Sequence, residues 1–221
     1  YTLAGRVDRE KGYGLAGDGF AVIDALAALG HETWFRLGDR DLATALHRTA
    51  RLREGAGLAA IADEVRRAYR VPVAILPMSE DPCPTYVELR GGRRVHFEEC
   101  LARDCAPDEV TRVDLEAARA ARPAPGVEAA LRGAARILVC PSNPVVSIAP
   151  IVAVPGVREA IAASRAPVVA VSPIVGGAPV KGPADKLLRG IGAEVSARGV
   201  AALYRDWVHG FVLDARDAAQ A

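Results

Sequence analysis

The sequence predicts an α/β fold of the Rossmann-like, doubly wound kind: a mainly parallel sheet with a smaller helical and β-hairpin lobe inserted into it. Three observations carry that expectation. Residues 137–140 (ILVC) and 168–171 (VVAV) are short continuous apolar runs rich in β-branched side chains, the composition of parallel strands buried on both faces. They begin 31 residues apart, the length of one strand–helix–strand unit. Each run stops at a polar loop, the first reading Pro141-Ser142-Asn143-Pro144, the second running from Ser172 through Gly176-Gly177 to Lys181 and Pro183. Open α/β sheets bind ligands beyond the carboxyl ends of their strands, where both loops fall.

The elements follow in order. Tyr1 opens an apolar segment with no initiator Met. Asp18 is placed as the N-cap of a helix over residues 19–29, with Gly30 as its stop. Residues 33–37 (TWFRL) read as a strand ending at the polar knot Gly38-Asp39-Arg40-Asp41. Apolar residues at helical spacing predict helices over 42–53 and 58–69. Strands are expected at 73–76 and 85–89, and Gly91-Gly92 makes a hairpin turn into Val95-His96-Phe97. Residues 98–125 carry much charge and no clean period. These features divide the chain into an α/β core, 1–39 and 126–221, and an inserted mixed lobe, 40–125. Pro123, Pro125 and Gly126 form the return linker. Beyond it, helices are expected near 127–132, 157–164, 183–189 (with proline at the first position) and 200–207, and a last strand at 210–213.

Composition narrows the classes. With 221 residues, 51% of them hydrophobic, the chain can bury a sizeable core without disulfide staples. Its 28 basic and 27 acidic residues balance to a net charge of +1, which points to no nucleic acid and no membrane surface as partner. No apolar run reaches the ~20 residues of a membrane span, and a cytoplasmic protein is the expectation. His96, Cys100 and Cys105 lie close together but lack a fourth zinc ligand at metal-site spacing.

Five strings carry a resemblance: GLAGD at 14–18, ETWFRLGDRDLAT at 32–44, RVPVAILPMSEDP at 70–82, CPSNPVVSIAPIVAVPG at 140–156 and APVVAVSPIVGGAPVKGPADK at 166–186. Together they resemble the 2-phospho-L-lactate transferase family, which makes the deazaflavin coenzyme F420. The resemblance implies transfer of a phosphorylated three-carbon acid, 2-phospho-L-lactate or phosphoenolpyruvate, from its guanosine diphosphate conjugate to the deazaflavin alcohol FO. GMP leaves and Mg²⁺ assists, and a homodimer is suggested. Members of the family begin with a strand, a Gly-Gly-Thr-Gly-Gly-type loop and an Asp-bearing segment that supplies metal ligands; the metal ligands of this chain are therefore unknown. Pro84, Phe97-Glu98-Glu99-Cys100 and Ala45 also stand where the family tends to carry an arginine, a Phe-Gln-x-Tyr element and a histidine. The expectation that follows is a polypeptide extending upstream of Tyr1, with residues 1–221 alone giving no turnover.

The chemistry of such a transfer asks for neutral donors, close backbone approach, a cation and a carboxylate. Ser142, Asn143 and Ser147 are candidate donors to the diphosphate, Gly176 and Gly177 allow close approach, and Lys181 supplies positive charge. Asp39 and Asp41 are the candidate catalytic carboxylates, to accept the alcohol proton or hold the metal. Two alternatives stand beside the transferase: a non-catalytic nucleotide- or sugar-nucleotide-binding regulator of the sister family, and an incomplete, inactive copy.

Overall fold

A computed structural model describes residues 39–102 and 110–220. The helix expected at 19–29 and the strand at 33–37 lie outside the described residues. Two compact units divide the chain, Tyr1–Pro77 and Met78–Ala221.

In the first unit, helix α1 (Asp39–Arg53) and helix α2 (Leu58–Ala68) form a helical hairpin. Leu46 and Ile61 are its buried apolar residues. Glu64 ties the two helices together, accepting from Arg51 Nη2 at 3.0 Å and pairing with His47 Nε2 at 2.8 Å. Arg51 first, and His47 second, hold the Glu64 carboxyl below the usual range. The strand expected at 73–76 is absent. These residues run as irregular backbone, with Val73 63% exposed. Pro72 and Pro77 bracket the run, and each removes a donor that a sheet ladder needs.

The second unit holds two sheets around one core. β1 (Tyr86–Leu89) is the central strand of an antiparallel sheet, flanked by β2 (Arg94–His96) and β3 (Val110–Asp114). Gly91 and Gly92 both take positive φ in the turn between β1 and β2, as that hairpin requires. Helices α3 (Phe97–Ala102) and α4 (Glu116–Ala120) flank β3 in sequence. Ahead of β1, Ser79 Oγ accepts from Asp81 N–H at 2.9 Å, and Asp81 Oδ2 accepts from Arg122 N–H at 2.9 Å. The MSEDP string is thereby locked to the Pro123 segment, where Ser79 and Pro123 form a bridge.

After α5 (Val127–Arg132) comes β4 (Ile137–Val139), which pairs in parallel with β5 (Val168–Val171), itself paired in parallel with β8 (Gly210–Val212). The two apolar runs are thus adjacent parallel strands. Val168 and Ala170 of β5 are fully buried, but Leu138 on the opposite face of β4 is 64% exposed. The expectation that residues 137–140 are buried on both faces is corrected accordingly: β4 is an edge strand of the described sheet, and among the described residues only one of its faces is packed. A π-helical turn (Pro144–Ile148), α6 (Ala149–Ala153) and α7 (Val157–Ala163) connect β4 to β5.

From β5 the chain makes a small hairpin, β6 (Ile174–Val175) and β7 (Ala178–Pro179), then α8 (Ala184–Gly190), α9 (Ala197–Tyr204), β8 and a 3₁₀ turn (Ala215–Gln220). Ser196 caps α9 by accepting from Gly199 N–H at 2.9 Å. Helix α8 packs against β3, against β7 and against the π-helical turn, so it joins the antiparallel sheet to the loops of the parallel one. Its Leu187 and Leu188 belong to a core shared with Val87, Leu89, Val168 and Val200.

Candidate active site

The parallel pairing of β4 and β5 sends the chain out of the same sheet edge twice, and both sequence-predicted loops leave from there. After β4, Asn143 opens the π-helical turn. Its Oδ1 accepts from Val145 N–H at 2.9 Å and Val146 N–H at 3.3 Å, while its backbone carbonyl accepts from Ser147 and Ile148 N–H at 3.0 and 3.1 Å. The missing N–H of Pro144 and its fixed φ suit the first position of such a turn. With Oδ1 facing the turn, the Asn143 amide presents Nδ2–H outward, and this group meets no partner among the described residues. The Ser142 and Ser147 hydroxyls likewise meet none. Three neutral polar side chains of one short stretch therefore keep their donors open. All three are partly buried. Turns of π type occur often at functional sites.

The second loop is more ordered than a glycine-rich string suggests. Ser172, buried at its start, donates its hydroxyl to Ile174 carbonyl at 2.8 Å and accepts from Ile174 N–H at 3.1 Å. Val180 N–H donates to Pro173 carbonyl at 3.0 Å, closing the hairpin. Gly176 and Gly177 form its two-residue turn with φ of +60° and +78°, a conformation L side chains rarely adopt. Gly176 N–H points inward and donates to Asp217 Oδ2 at 2.8 Å. Lys181 is exposed beyond the turn, with no carboxylate partner among the described residues. Because α8, which follows Lys181, packs on the π-helical turn, the two loops belong to one region of the second unit.

Asp39 and Asp41 are placed differently from the sequence expectation of a knot preceding the helix. Both lie in the first turn of α1, and their side chains lie outside the described residues. Carboxylates favour the positive end of the helix dipole, which accounts for the extension of α1 back to Asp39.

Sequence reasoning did not find Asp217, whose only signal is the second of two acids in an alanine-rich tail. It also missed two cavities, of about 460 and 330 Å³, that flank His209. His209 Nδ1 accepts from Val168 N–H at 3.0 Å, so these cavities sit at the amino edge of β5 and β8, the opposite edge from the loops. None of the sequence-predicted residues lines them.

Comparison with known proteins bears on this arrangement. The family model described as 2-phospho-L-lactate transferase CofD matches residues 1–220. A phosphoenolpyruvate transferase of Thermobifida fusca is 44% identical over 99% of this chain and 69% of its own length. A 2-phospho-L-lactate transferase of Methanosarcina mazei is 39% identical over 99% of this chain and 71% of its own. Among solved structures, a UPF0052-family protein of Bacillus halodurans superposes with a TM-score of 0.58 at 20% identity, over 76% of this chain and 52% of that one. That likeness shows the fold. The sequence match over nearly the whole chain shows the family: the chain belongs to the 2-phospho-L-lactate transferase CofD family.

Proposed function

We propose that this chain carries the transfer of a phosphorylated three-carbon acid from its guanosine diphosphate conjugate to the alcohol FO, with release of GMP. The family match over residues 1–220 is the observation that carries the reading. In the transfer, the FO hydroxyl oxygen bonds to the phosphorus bearing the acid. The bond from that phosphorus to the bridging oxygen breaks, GMP leaves with the oxygen, and the hydroxyl proton passes to a base. Such a reaction asks the protein for position and charge neutralisation. Ser142 Oγ, Asn143 Nδ2 and Ser147 Oγ are the open donors assigned to the diphosphate oxygens, and Lys181 is assigned as the cation. Asp39 or Asp41 is assigned the proton. Gly177 remains free for close approach, while the Gly176 N–H is already engaged by Asp217.

Mg²⁺ belongs to the proposal as a counter-charge to the leaving phosphate. Among the described residues, no three His, Cys, Asp or Glu side chains converge on a common point, so they provide no complete site for it. A homodimer and a cytoplasmic location are further parts of the reading. No single helix among the described residues is long and apolar enough to cross a membrane. Relatives at 43–44% identity are named phosphoenolpyruvate transferases and those of Methanosarcina at 37–39% are named 2-phospho-L-lactate transferases, an ordering that favours phosphoenolpyruvate as the acid. The non-catalytic alternative is not favoured, since these near relatives all carry transferase names.

The test incubates the natural polypeptide carrying this chain with FO and either guanylylated acid, and follows GMP. FO-dependent GMP release, faster with the phosphoenolpyruvate conjugate, is expected. Binding of the donor without release of GMP would return the protein to the non-catalytic class.

A further inference from the structure

We propose that Asp217 is the positioning residue of the Gly176–Gly177 turn, and that it sets the affinity for the nucleotide donor. Among the described residues it is the only acidic side chain in the core, 2% exposed. Among the described residues no Lys or Arg forms a salt bridge with it; the adjacent Arg216 is bound to Asp214 at 2.9 Å and acts on Asp217 through its charge only. Two hydrogen bonds hold its carboxylate in place. Oδ2 accepts from Gly176 N–H at 2.8 Å, and Oδ1 accepts from Gln220 Nε2 at 3.0 Å. Gln220 Oε1 in turn accepts from Arg198 N–H, in the first turn of α9, at 3.2 Å. A continuous chain of contacts thus runs from α9 through the 3₁₀ turn to the tip of a hairpin 41 residues earlier in sequence.

The hairpin needs such an anchor. β6 and β7 have two residues each, and an isolated two-stranded ribbon is at best marginal in water. Its two turn glycines carry the largest backbone freedom of any residue type. A buried carboxylate is costly, and its retention here is matched by what it holds: besides the Gln220 amide, it binds the Gly176 N–H and fixes the direction of the loop that leads to Lys181. A loop fixed before the ligand arrives loses no ordering entropy on binding. The inference rests on the reading of the Gly176–Lys181 loop as part of the donor site.

The experiment compares Asp217→Ala, Asp217→Asn and Gln220→Ala with Lys181→Ala and Gly177→Val in the natural polypeptide, measuring kcat, the KM for each substrate and Tm. Asp217→Ala is expected to raise the donor KM by about tenfold or more and leave the FO KM unchanged, because misplacement of a positioning group costs on this scale. Asp217→Asn keeps an acceptor for the Gly176 N–H and is expected to recover most of the donor KM. Gln220→Ala is expected to raise it less than Asp217→Ala, and it carries the test alone should Asp217→Ala fail to fold. A purely structural role would lower Tm and the active fraction, and with it the apparent kcat, without moving KM; that result overturns the proposal. Equal donor KM values for Asp217→Ala and Asp217→Asn overturn it too. If Lys181→Ala and Gly177→Val raise the donor KM while the Asp217 and Gln220 variants do not, the Asp217 inference alone fails. If none of them moves it, the loop is not part of the donor site.

Discussion

Asn143 shows how one side chain can hold a loop and equip it. Its oxygen caps the π-helical turn while its nitrogen is left open, so the two halves of the amide are separable by substitution. Asn143→Asp keeps the capping oxygen, deletes the outward donor and brings a negative charge toward the diphosphate. We expect kcat/KM to fall by about 10²–10³-fold, the cost of one preorganised donor, with Tm nearly unchanged. Asn143→Ala should lose both roles, adding a loss of about 1 kcal/mol in stability for the cap. Steady-state kinetics beside thermal melts would separate the two. The polar residues at 142, 143 and 147 were legible as candidates because two nearby prolines mark a stiff loop in the sequence itself. That the Asn143 oxygen is spent on Val145 and Val146 was not legible, because an amide's orientation depends on which backbone donors the turn exposes.

Legibility at the level of elements follows the same division. Hairpin β1–β2, helix α2 and strands β4 and β5 were readable because period, glycine pairs and apolar runs are local signals. β3 was not. Its sequence VTRVD alternates poorly, and it exists because Val110 and Val113 find partners on β1. The run at 73–76 erred in the other direction, with strand composition but no ladder to join. Packing of α8 on β3 is equally invisible in sequence, yet it depends on one residue. A methyl at Gly190 would overlap the backbone carbonyl of Val110, which cannot rotate away as a side chain can. Alanine would gain roughly 1 kcal/mol in helix propensity, but the overlap costs about 1–3 kcal/mol or more. We therefore expect Gly190→Ala to be net destabilising, seen as a lower urea midpoint with an unchanged m-value.

For the whole molecule, the acid limb of stability is set by carboxylates held below their usual range. Asp81 is held there first by the Arg122 N–H, Asp114 first by the Glu116 N–H and then by Arg94, and Glu64 first by Arg51. Each binds its proton less readily in the folded chain than in the unfolded one. The stability each contributes is therefore fully present above the ordinary carboxylate value of about 4 and is lost as pH falls through the lower folded value. Urea midpoints should be flat between about pH 7 and 5 and should fall below about 4, and Asp81→Ala should flatten that fall. The parallel sheet and its loop edge were foreseeable at this scale, since a strand–helix–strand unit has one handedness and one ligand-binding edge. The open face of β4 was not, because a continuous apolar run records composition and not which side finds a neighbour.

The π-helical turn has a consequence in the language of insertions and deletions. A π turn is an α turn with one residue too many, its carbonyls reaching five positions ahead, as Asn143 to Ile148 and Pro144 to Ala149 do here. Loss of one codon between Pro144 and Ile148 would let this segment hydrogen-bond as ordinary helix as far as α6, where Pro150 has no N–H to give. It would also rotate everything on the amino side of the cut by about 100° relative to everything after it. The directions of the Ser142 and Asn143 side chains would then change relative to α6. Fold and composition would survive almost intact in such a shortened chain, and the present arrangement of its open donors would not.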